Sequence, residues 1–249
     1  TAPQEDFYYL FLGRALMEKA KLAQEAGARD ALYTRALQAL QTAKQLNPLN
    51  TDHTANIGRL YRTWAEADTD ATRKGERYNL ALTAYQEAIR LSPNNAQLYN
   101  ELGLVFYLMG QYDLALAQYD KSLALDSEFL QTYLLISDVR FARKEWAEII
   151  AMNEKIVAKE PTYVQGWSAI GYAYSQLGQW DKGIAANLKV LEIQPEDYGT
   201  LKNVALLYQQ QGDLAQALAY AERALQVAPE AEKSMVEQFI AQVKSELNP

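Results

Sequence analysis

From residue 96 to residue 229 the apolar, small and polar positions of the chain recur every 34 residues. One small position is held by Gly103, Ser137, Gly171 and Ala205, and a second by Ala115, Gly183 and Ala217, which Ile149 breaks. An aromatic position is held by Tyr112, Trp146 and Trp180, with Leu214 in the last copy. Gly110, Gly178 and Gly212 form a further series, with Lys144 out of rank. Each copy ends at the same slot, filled by Pro93, Pro161, Pro195 and Pro229 and, once, by Ser127. Proline has no backbone N–H and cannot continue a helix from within, so the slot marks a helix exit. Small residues let two helices approach closely, the glycine opens a short turn, and the aromatic fills the wedge between them. The pattern predicts a helix A, a turn and an antiparallel helix B in every copy.

The first two copies are longer. Gly13, Gly58 and Gly103 stand 45 apart, as do Ala36 and Ala81, and Pro48 and Pro93. The 11 extra residues fall between the small position of helix A and the start of helix B. Eleven residues are about three helical turns, so they lengthen a helix without rotating its apolar face. Two tall hairpins are therefore expected, with turns near 25–30 and 66–75, the second being the mobile loop. After them come four standard hairpins. From Glu230 to Leu247, Met235, Val236, Phe239, Ile240 and Val243 make one apolar stripe, as a helix covering the last exposed face would. The expected organisation is a single all-α solenoid over 1–249, with repeats at 5–49, 50–95, 96–129, 130–163, 164–197 and 198–229 and a cap at 230–247.

Composition narrows the function classes. The net charge is −7, from 24 basic and 31 acidic residues, which argues against a nucleic-acid footprint or an anionic membrane surface. The absence of cysteine excludes thiol catalysis, disulfides and cysteine-ligated zinc. No stretch approaches the roughly 18 apolar residues of a membrane span. The chain starts "TAPQEDF" rather than with Met, which is expected of a fragment or processed form.

Few residues invite chemistry. His53 is the one histidine; it has no second His or Cys for a metal, and it is expected as a surface or cap-adjacent residue beside Asp52 in a helix's first turn. No carboxylate pair is set apart in an apolar context, and no glycine motif for phosphate is present. No catalytic residue, metal or cofactor is expected. Tyr33, Tyr78, Tyr112, Trp146 and Trp180 share one repeat position and are expected in the core. Trp64 has no counterpart in the shorter copies; it either packs against the first tall hairpin or makes an exposed contact. A large apolar position, Tyr85 and Tyr119 in the second and third copies, becomes Asn153 and Asn187 in the next two. Those two asparagines either bond each other or the backbone, or mark a softened segment. Ser137, Arg140, Lys144 and Ile149 make the fourth copy the most divergent.

"WSAIGYAY" (Trp167 to Tyr174) resembles the tetratricopeptide signature W-x2-L-G-x2-Y, and "YNELGLVF" (Tyr99 to Phe106) resembles it with aromatic swaps. The resemblance implies a right-handed stack of hairpins whose A helices line a concave partner groove. Mapped onto this sequence, the groove takes Arg59 and Arg62 from the second repeat and Asn100, Leu104 and Tyr107 from the third. The fourth gives Gln131, Leu134, Asp138 and Phe141, and the fifth Gln165, Ser168, Tyr172 and Ser175. Lys202, Leu206 and Gln209 come from the sixth. Chaperone-binding members of the family hold a terminal carboxylate with a Lys and Asn clamp. Leu10 and Arg14, and later Asn100 and Leu104, stand at those positions, so that clamp is absent. The wording from "LNPLNTDHTANIGRLYRTWAE" onward is also similar to the C-terminal repeat region of bacterial O-antigen ligase-like membrane proteins, in which the repeats lie outside the membrane. The expectation is a non-catalytic interaction scaffold for a protein or peptide. The alternative is an accessory extracytoplasmic domain of a membrane-associated glycan-assembly protein that contacts oligosaccharide, and a cytoplasmic location is the alternative placement.

Overall fold

A computed structural model describes residues 5–247, and these residues form thirteen α-helices and no strand. The sequence-derived span of 1–249 extends beyond them by residues 1–4 and 248–249. In chain order the helices make six successive A and B pairs. They are α1 (Glu5–Leu22) with α2 (Ala26–Leu46), α3 (Thr51–Glu66) with α4 (Ala71–Leu91), and α5 (Ala96–Leu108) with α6 (Tyr112–Leu125). Then come α7 (Leu130–Ala142) with α8 (Trp146–Lys159), α9 (Val164–Gln176) with α10 (Trp180–Ile193), and α11 (Tyr198–Gln211) with α12 (Leu214–Val227). Helix α13 (Glu230–Leu247) follows. The chain divides into two compact units, one ending at Val139 and one beginning at Arg140, inside α7.

Small local cores hold each unit, as expected of stacked hairpins that bury faces only against their neighbours. In the first unit Leu10, Met17, Tyr33, Leu40 and Leu60 pack together, and Tyr78, Tyr85, Leu102 and Val105 form the next cluster. In the second, Val157, Ile170 and Ala186 form one cluster. Leu201, Val204, Ala221, Val236 and Ile240 form another, so α13 buries its apolar stripe against the last hairpin.

The recurring small position is a notch for the residue that faces it from helix B. A Cβ on Gly13 would meet Leu40 Cγ at 2.6 Å, one on Gly58 would meet the Tyr85 ring at 3.0 Å, and one on Gly103 would meet Tyr119 Cε1 at 2.4 Å. On Gly171 it would meet Asn187 Nδ2 at 2.4 Å. Both asparagines bond the backbone of their own helix: Asn153 donates to Ile149 O at 2.9 Å and Asn187 to Gly183 O at 2.8 Å.

The four standard copies turn alike. Gly110, Lys144, Gly178 and Gly212 all adopt positive φ, at 73°, 58°, 68° and 89°. The next N–H reaches back to the carbonyl five residues earlier, at 2.9 Å in Gln111 to Phe106, Glu145 to Arg140, Gln179 to Tyr174 and Asp213 to Tyr208. This is the left-handed helix stop that glycine favours, and Lys144 adopts it without being glycine. At the exit slots an aromatic six residues on donates to the slot's carbonyl: Tyr99 to Pro93 (3.0 Å), Tyr133 to Ser127 (3.0 Å) and Trp167 to Pro161 (2.8 Å). Ser127 thus receives the same contact as the prolines.

The tall hairpins depart from expectation in where they are tall. Helices α3 and α5 have 16 and 13 residues, whereas α4 and α6 have 21 and 14, so most of the added length lies in helix B. The turn expected at 25–30 is already helix from Ala26, and that at 66–75 shrinks to residues 67–70. It is also no loose loop. Asp68 pairs with Arg77 and, at 3.0 Å, with Arg73, while Asp70 caps α4 through Arg73 N. Burial alone would raise the Asp68 carboxyl, but the Asp70 amide and the two guanidinium groups outweigh it and hold it below the usual range. Trp64 packs rather than protrudes. It stacks on Tyr33 (5.4 Å, 19°), donates to Asp30 at 2.6 Å and carries the Arg77 guanidinium over its ring at 4.1 Å.

Candidate functional site

Helix A side chains expected in a groove meet very different fates in the structure. In the first unit the two arginines are already satisfied. Arg59 donates to Asn56 (3.1 Å) and Glu101 (2.9 Å), and Arg62 to Glu66 (2.7 Å). Tyr85 completes the set by donating to Glu101 at 2.9 Å. Burial would raise the Glu101 carboxyl, yet Arg59 and Arg62 hold it below its ordinary value. Asn100 is 1% exposed and exchanges hydrogen bonds with Thr132 at 2.9 and 3.1 Å, so it is a core residue. Leu104, Tyr107 and Leu134 are half-buried, while Gln131 and Asp138 are exposed.

His53 is fully buried rather than superficial. Its Nε2 lies 2.9 Å from Asp6 Oδ2, which also accepts from Asn47 at 3.1 Å, and Phe7 meets its ring edge-on. The hydrogen bond from His53, and that from Asn47, hold Asp6 below its usual value despite burial. This pairing joins α1, the α2 exit and α3. It spends the histidine on structure, and among the described residues no group of His, Cys, Asp and Glu is placed to hold a metal ion. Of the shared aromatic position, Tyr33 and Tyr78 lie in the core as expected, at 1% and 4% exposure. Tyr112, Trp146 and Trp180 are only half-buried, because the shorter B helices leave their first residue at the hairpin's rim.

In the second unit four of the expected residues, Ser168, Tyr172, Ser175 and Leu206, converge on a cleft between α9 and α11, of about 370 Å³. Ser168, Tyr172, Ser175 and Gln176 line it from α9; Gly199, Asn203, Leu206 and Gln210 line it from α11. Asn187 and Thr200 close its floor and Asp197 its end. Gln165 lies exposed on the first turn of α9 and does not line it. Tyr172 is half open to solvent, yet its ring is fixed against Phe141 (5.6 Å) and Trp146 (5.7 Å). Of the α11 residues expected here, only Leu206 lines the cleft. Lys202 bonds Glu232 at 3.2 Å and Gln209 bonds Glu246 at 3.3 Å, both drawn to α13. Among the lining residues that were not expected, Asn203 and Gln210 each stand one position beyond an expected one, Lys202 and Gln209, which bond the covering helix instead.

Leu206 also lines a second, apolar pocket of about 220 Å³. Ala205, Ala221, Ala224, Met235, Val236 and Phe239 form most of its walls. A cleft of amides and hydroxyls, with the one carboxylate of Asp197 at its end, therefore adjoins a hydrophobic socket across one leucine. Volumes of this size hold a few side chains, with polar groups to orient what enters.

Models of the tetratricopeptide repeat match residues 70–110, 96–129 and 164–230. No curated protein sequence matches the chain. Among solved structures, a MamA protein is 24% identical, with a TM-score of 0.60 over 74% of this chain and 94% of that one. YrrB, described as a TPR protein with an unusual peptide-binding site, is 16% identical, with a TM-score of 0.57 over 81% and 98%. PilF of Pseudomonas aeruginosa is 15% identical, with a TM-score of 0.64 over 96% and 98%. At these identities the likeness is one of fold. No described helix is long and apolar enough to cross a membrane.

Proposed function

Since the chain belongs to the tetratricopeptide repeat family, we propose that it is a non-catalytic scaffold whose α9/α11 cleft seats an extended stretch of a protein partner. The observation that carries this reading is the pairing of the cleft with the socket through Leu206. Hydroxyl and amide side chains can satisfy a peptide backbone at modest desolvation cost, while an apolar side chain enters the socket. Tyr172, braced by two aromatic neighbours, gives the partner a rigid surface at little entropic cost. A protein of the same fold, YrrB, is described as having a peptide-binding site. The cleft carries no basic side chain, and Lys202 at the socket is held by Glu232, so neither offers a free cation to a partner's terminal carboxylate.

Selection of peptides from a random display library on the purified chain tests the reading. Selected peptides should carry a large apolar residue and should lose about tenfold or more in affinity to Tyr172→Ala/Asn203→Ala, with helicity unchanged. Undiminished binding by that variant would remove the cleft from the account. Oligosaccharides belong in the same titration, since amides and tyrosine also suit sugars; saturable binding of a sugar in place of any peptide would favour the glycan alternative.

A further inference from the structure

The first unit contains the same constellation twice, once filled and once missing its cation. In the filled version the buried Tyr85 hydroxyl donates to Glu101, and Arg59 and Arg62 approach that carboxylate at 2.9 and 4.0 Å. One repeat further on, Tyr119 stands where Tyr85 stands, again over a glycine notch and 0% exposed. The two arginine positions have become Leu104 and Tyr107, and the Glu101 position has become Leu135. The Tyr119 hydroxyl is accordingly buried with no hydrogen-bond partner. The carboxylate has moved one turn along α7, to Asp138. The ionisable groups that act on Tyr119 are Asp138 and Tyr107. Among the described residues Asp138 has no ion-pair or hydrogen-bond partner, whereas Arg59, Arg62, Glu101, Arg140 and Lys202 on the A helices all do.

We propose that Asp138, Tyr119 and Tyr107 form a subsite for an arginine side chain of a peptide partner. Its guanidinium supplies in trans the charge that Arg59 and Arg62 supply in cis one repeat earlier. The guanidinium pairs with the Asp138 carboxylate, donates to the Tyr119 hydroxyl and lies against the Tyr107 ring, which turns aside to admit it. The occupant is a peptide arginine because the one uncommitted charge here is negative and the internal precedent is a guanidinium. The inference rests on the scaffold reading but concerns the other unit of the chain, so the two can fail separately.

The test titrates the whole chain with acetylated, amidated heptapeptides that have Arg or Gln at the centre, and with argininamide. Binding is read by calorimetry and by the ring signals of 13C-labelled tyrosine. The Arg peptide should bind about tenfold more tightly than the Gln peptide and shift Tyr107 and Tyr119. Asp138→Asn should abolish that preference while leaving the Gln peptide unaffected. Equal binding of the two peptides, an unaltered preference in Asp138→Asn, or no binding of either at millimolar concentration would each overturn the subsite. The cleft variants and selected peptides would still judge the scaffold reading independently. Argininamide binding as tightly as the Arg peptide would overturn the peptide as occupant. In the free protein Tyr119→Phe should melt no lower than wild type, whereas Tyr85→Phe should melt lower. An equal loss in both would mean that the Tyr119 hydroxyl is already partnered, and would refute the open subsite.

Discussion

The ring of Tyr119 lies against the backbone of Gly103 so closely that an added Cβ would stand 2.4 Å from Cε1. The contact recurs as Tyr85 on Gly58, where the approach is 3.0 Å, and it sets how near helix B comes to helix A. Both tyrosines are fully buried. Gly103→Ala should therefore destabilise the chain by about 1–3 kcal/mol through overpacking, and Gly58→Ala by less. Urea denaturation of the two variants checks the order.

Lys144 occupies a left-handed turn that glycine fills in the three other standard copies. A non-glycine residue there costs roughly 1 kcal/mol, and no described salt bridge involves its ammonium. Lys144→Gly should raise stability by up to about 1 kcal/mol, less what glycine adds to the entropy of the unfolded chain. A midpoint that falls would mean the lysine side chain makes a compensating contact.

Ser127 can be returned to the frame. The preceding residue, Asp126, has φ −144° and ψ 95°, the extended conformation that also precedes Pro93, where Ser92 has −140° and 76°. The neighbouring backbone bond, Phe129 to Asp126, does not use the Ser127 N–H. Ser127→Pro should be stabilising by about 0.4–1 kcal/mol, by restricting the unfolded chain. Thermal melting checks this; a marked loss would show that the slot differs from its homologues.

Glu101 links the tall second hairpin to the third and has its carboxyl held below its unfolded value by Arg59, Arg62 and Tyr85 against the cost of burial. A depressed folded value means that the contribution is fully present above the unfolded pKa, about 4.3, and is lost as pH falls through the folded one. Asp6 and Asp68 are shifted in the same sense, so acid should loosen the first unit. Glu101→Gln should cost about 1–3 kcal/mol at neutral pH, discounted for the partly exposed Arg59, and should flatten the acid limb of the stability curve. Denaturation midpoints from pH 7 down to pH 3 measure both effects.

Much of the fold could be read from spacing alone. The glycine and proline frames mark the backbone positions where only certain residues fit, so the helix pairs and the cap followed from them. Contacts between chain segments far apart in sequence did not. His53 looked superficial because its partner, Asp6, is a whole hairpin away; Trp64 could not be placed without Asp30 and Arg77. The 11 extra residues are expected ahead of helix B because periodicity registers how many residues are added but not on which side of the turn they fall. The groove was partly legible. Ser168, Tyr172, Ser175 and Leu206 do meet in one cleft, while Asn203 and Gln210 were displaced from view because α13 draws Lys202 and Gln209 the other way.

The claim that a peptide lies between α9 and α11 is tested most directly by photocrosslinking. A library-selected peptide carrying a benzophenone next to its apolar anchor would be irradiated with the chain and the adducts mapped by mass spectrometry. The account predicts adducts on α9, α11 and α13, concentrated near Tyr172, Leu206 and Met235, and their loss in Tyr172→Ala/Asn203→Ala. Adducts on the outer faces of the B helices, or spread evenly over the chain, would contradict it.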